Sequence, residues 1–144
     1  MAKAFKFELQ DVLEFRNLEK EQAQNELAKA LAVETQIQND LQTIAAQFLS
    51  VQKQLDSYTD FEDIAAGNRR KVLLDLQKEE LLKQLSQAKI VSDEKRAVLD
   101  EIMKKTTALE KLKEKQLESW KEEADREEEA FIDDLANSGT RFHQ

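Results

Sequence analysis

Apolar residues step along this chain by threes and fours over two long stretches, with polar residues filling the positions between. In the first stretch the series is Leu27, Ala30, Ile37, Leu41, Ile44, Phe48, Val51, Leu55 and Tyr58. Heptad positions a at 41, 48 and 55 put d at 44, 51 and 58, the pattern of a helix with one seam against a partner helix. Toward the N-terminus the same positions hold Glu34, Lys20 and Arg16, so the apolar pattern weakens there. The second stretch runs Leu81, Leu85, Ala88, Leu99, Ile102, Thr106 and Leu109, with Ser92 and Lys95 inside the seam. Its stripe then drifts onto Leu117, Trp120, Ala124 and Phe131.

Nothing in either stretch breaks a helix. The chain has no Pro, and its two Gly are Gly67 and Gly139. Helices are therefore expected over about 5–58 and about 69–136. A turn is expected over about 59–68 and a disordered tail over 137–144, all within a single coiled-coil domain. Thr59 fits an N-cap with Glu62 reaching back to it, Gly67 a left-handed closing residue, and Asn68 the cap of the second helix. Folding about residues 63–64 places Phe48 near Glu80. The expected fold class is all-α, a long two-helix antiparallel coiled-coil hairpin. Interrupted seams with polar residues suit an intramolecular pair, so a monomer is expected in isolation.

Composition changes the picture chiefly by exclusion. Charged residues make up 36% of the 144 residues and aromatics 6%, against about 25% charged in ordinary globular domains. The net charge of −8 argues against nucleic-acid binding, which needs cations to displace counterions from phosphate. No Cys is present, which excludes disulfides and thiolate metal sites. No apolar run has signal-peptide or membrane-span length, so a cytoplasmic protein is expected.

Chemistry is almost missing from the chain. His143 is the single histidine and falls in the expected tail, which leaves no Ser–His pair and no HExxH site. Gly67 belongs to no phosphate-cradling loop. Between Glu118 and Asp134 nine acids face only Lys121 and Arg126. Successive helical residues point in different directions, so this block reads as a solvated face rather than a cation site. No enzyme activity, cofactor or metal is expected.

Apolar residues off the seam are the candidate contacts. Phe15 and Leu18 fall at outward positions of the first helix. Leu49, Val72, Leu73 and Leu76 fall at outward positions near the turn, where a grouped apolar surface marks a partner site. Local packing under Phe61 and Ile64 is the competing explanation for that group. Trp120 is either seam or anchor.

The opening FKFELQDVLEFRNLEKEQAQNELAKAL and the late run LEKLKEKQLESWKEEADREEEAFIDDLA resemble the flagellar FliJ family and its type III secretion relatives. The resemblance implies a stalk-like antiparallel pair in the soluble export apparatus, associated peripherally with the inner membrane at the flagellar base. It implies binding to the export ATPase hexamer and to the export-gate protein FlhA, with export chaperones as further partners. On that pattern Phe15, Leu18 and Trp120 serve the ATPase, and Leu49, Val72, Leu73 and Leu76 the gate. The alternative is a generic cytosolic coiled-coil scaffold or chaperone with unrelated partners.

Overall fold

A computed structural model describes residues 4–142, with side chains described through residue 139. Two α-helices account for nearly all of it: α1 (Gln10–Ser57) and α2 (Phe61–Phe142). Their packing divides the chain into two compact units. The turn unit comprises residues 21–100, and the terminal unit comprises residues 1–20 with 101–144.

The turn unit is an antiparallel helical hairpin, as the stepped pattern predicts. Ala23, Ala30, Ile37 and Val51 of α1 are buried, and so are Ala88 and Ser92 of α2. Leu27, Leu41, Ile44, Phe48 and Leu55 fall between them on the same face and are half-buried. The heptad frame read from the sequence therefore describes the observed seam. Full burial goes mainly to small side chains. A pair of helices has no third layer to cover a large one, so bulk protrudes past the contact line.

The turn differs from the expected one. The helix breaks only at Tyr58–Asp60, and α2 begins at Phe61. Asp60, not Thr59, is the cap. Its carboxylate accepts from the Glu62 N–H at 3.4 Å, and its carbonyl accepts the first helical bond from the Ile64 N–H at 3.0 Å. Asn68 lies inside α2 and caps nothing.

Gly67 is also helical, and no glycine among the described residues has positive φ. Its role is spacing. A Cβ there would sit 2.4 Å from the Leu55 Cδ2 and 2.9 Å from its Cγ, so any side chain at 67 would require Leu55 to shift beside the turn. The earlier turn also shifts the pairing, placing Phe48 beside Lys71 rather than Glu80. The Lys71 ammonium stands 5.1 Å from the Phe48 ring centroid and donates to the Gln52 Oε1 at 2.6 Å.

Polar groups in the seam find partners. The Ser92 hydroxyl, 1% exposed, is shared between the Glu34 carboxylate across the pair and the Lys89 carbonyl one turn back. The Lys95 ammonium lies 4.0 Å from Glu26. No buried side-chain polar atom among the described residues lacks a partner.

In the terminal unit α1 and α2 again pack antiparallel, burying Leu13 and Thr106. Thr106 returns its hydroxyl to the Ile102 carbonyl at 2.8 Å, which satisfies it without a cross-helix partner. Gln10 accepts a hydrogen bond from the Lys113 ammonium at 2.7 Å.

Both ends of this unit depart from expectation. Residues 4–9 precede the helix instead of opening it. Phe7 is buried, and the Phe5 ring lies 6.1 Å from the Trp120 ring, tilted by 56°. At the other end α2 continues through Gly139 to Phe142, past the expected stop at 136. One glycine weakens a helix by about 1 kcal/mol but removes no backbone hydrogen bond. His143 lies outside the described residues.

Candidate partner-binding surfaces

The turn unit carries a groove between its helices, of about 570 Å³, lined mainly by apolar groups. Leu41, Ile44, Phe48 and Leu49 form one wall, and Leu74 and Leu82 the other. Asp75 and Lys78 supply its charges. The groove exists because large seam residues hold their outer atoms clear of the small contact line.

Leu49 belongs to this groove, as one of its exposed edges. Val72, Leu73 and Leu76 do not line it. Spaced one, three and four apart, they cover an arc of about 100° on the helix surface away from the seam, and each is exposed. Phe61 does not shield them, being 81% exposed itself. The site residues read from the sequence thus fall on two neighbouring surfaces, one a groove and one a convex arc. Leu74 and Leu82, which no single-helix pattern singles out, also line the groove. Their groove role needs the facing wall.

In the terminal unit Phe15 and Leu18 are exposed at their expected outward positions. Trp120 is half-buried under Phe5. Every described residue from Asp125 to Gly139 is exposed, and Phe131, Ile132 and Leu135 stand among the acids there.

Among the described residues no group of three or more His, Cys, Asp or Glu is placed to hold a metal ion. No helix among them is long and apolar enough to cross a membrane. What remains is a class defined by its fold and surfaces: a two-helix antiparallel coiled-coil protein with an apolar groove and exposed apolar faces. The family model described as "Flagellar FliJ protein" matches residues 5–142. The chain belongs to the FliJ family, whose members are components related to flagellar export. Comparison with curated proteins and with solved structures returned no match.

Proposed function

We propose that this protein is a non-enzymatic, stalk-like component of the flagellar type III export apparatus, acting in the cytoplasm at the inner membrane. Its terminal unit engages the export ATPase ring, and its turn unit engages the export gate FlhA. Export chaperones are further partners of the same surfaces. The observation that carries this reading is the pairing of family membership with unpartnered apolar surfaces in both units. An apolar groove or helical face gains by burying itself against a partner's complementary face. The gate surface consists of the groove edged by Leu49 together with the Val72, Leu73 and Leu76 arc. The ATPase surface includes Phe15, Leu18 and Trp120, continued by the uncovered stretch of α2.

The test is paired binding to the purified ATPase and to the cytoplasmic part of the gate protein, with circular dichroism alongside. Leu73→Glu with Leu76→Glu puts charge on a fully outward arc, so helicity should be unchanged. Gate affinity should fall by about tenfold or more, as for loss of a central interface contact, while ATPase affinity is retained. Full gate affinity in the double variant, or loss of both partners by a folded protein, overturns this division of roles.

A further inference from the structure

The terminal unit contains one element that is neither helix nor simple turn: the segment 4–9 laid against α2. Its hold on α2 is by side chains. Phe7 is 5% exposed, and Phe5 covers one side of the Trp120 ring. Packing around it is incomplete. A cleft of about 530 Å³ opens between Ala4–Lys6 and the α2 residues Gln116, Ser119, Trp120 and Glu123. A second, of about 390 Å³, lies between the segment and Lys113.

Trp120 belongs to the stripe that runs through Leu117 and Ala124 to Phe131. Leu117, Ala124 and Phe131 share one heptad position, so the stripe keeps a single face as it leaves the packed part of the unit. Leu117, Trp120 and Ala124 are half-buried, while Phe131 is exposed. Phe5 therefore meets this apolar face at Trp120, and the face continues past it to the exposed Phe131.

We propose that residues 4–9 form a releasable strap that masks the Trp120 part of this face, and that the partner taking the exposed part must displace it. The partner is the ATPase of the functional reading above, on which this inference rests. Its binding groove for α2 would extend over Trp120 once Phe5 is lifted. Masking lowers apparent affinity by the fraction of molecules whose strap is open. Weakening the strap therefore tightens binding, the reverse of what deleting an interface contact does.

Two measurements decide it on the full-length chain. Trp120 is the only tryptophan, so acrylamide quenching of the free protein reads the strap directly. Phe5→Ala should raise quenching at unchanged helicity, and Phe5→Leu should stay near the parent protein. Calorimetric titration with purified export ATPase should then show Phe5→Ala binding about threefold or more tighter, by the same open-fraction relation. Unchanged quenching in Phe5→Ala overturns the cover. Equal or weaker ATPase binding by Phe5→Ala overturns the masking while leaving the functional reading intact, weaker binding making Phe5 an ordinary contact. Absence of binding by all three proteins overturns the functional reading and the strap's role with it.

Discussion

Within the turn unit two parts of one seam behave differently. Around Ala30, Ala88 and Ser92 the helices meet through small side chains, which are buried. Around Leu41, Ile44, Phe48 and Leu74 the side chains are large, each is only half-buried, and a groove lies open beside them. A two-helix pair closes readily on small residues and on central β-branched ones such as Val51, and it stays open beside longer side chains, because only a third element could cover their outer bulk. The small part holds the pair together and sets its register through the Ser92–Glu34 bond. The large part leaves an apolar groove open beside the pair.

The strongest way to break this contrast is to put bulk into the closed part. Ser92→Leu replaces a side chain with no room around it and leaves the Glu34 carboxylate without its donor across the pair. Overpacking of this kind typically costs about 1–3 kcal/mol, and the upper end is expected because a polar contact is lost as well. Chemical denaturation should show it. A Ser92→Leu protein as stable as the parent would mean the helices separate there freely.

A smaller effect is expected in the open part. Removing a buried Phe typically costs about 3–5 kcal/mol. Phe48 is half-buried, and water already reaches its groove side, so Phe48→Ala should cost about 2 kcal/mol, from lost packing and the lost Lys71 contact. Its thermal midpoint should fall less than that of Ser92→Leu. A larger fall would place Phe48 in a closed core and remove the groove from the functional argument.

The smallest effect belongs to Phe15, outward in the terminal unit. Phe15→Ala should change stability by about 0.5 kcal/mol or less, as for a surface position. Losses of equal size at Phe15 and Phe48, measured in the same denaturant series, would show that the heptad frame does not separate inward from outward positions.

The sequence by itself determined the seam, and the reason is that helical periodicity is a local property. Steps of three and four bring the same face round whatever lies opposite, so Ile37, Val51, Ala88 and Ser92 were recognisable as inward and Phe15, Leu18 and Leu76 as outward. Two long helices followed from the missing prolines.

Tertiary structure decided the points where more than one local solution satisfied the same residues. Thr59 and Asp60 both suit an N-cap, and Asp60 became it only with the turn closed at Tyr58–Asp60. Gly67 suits a left-handed turn as well as it suits a close helix approach. Contact with Leu55, twelve residues earlier in the numbering, selected the second. Phe5 reads equally well as the start of a helix until Trp120 stands opposite it. The groove through Leu49, Leu74 and Leu82 has no sequence signature, since each wall is a fragment of a different helix. Such features depend on distances between segments far apart in the chain, and a one-dimensional pattern carries periodicity but no distances.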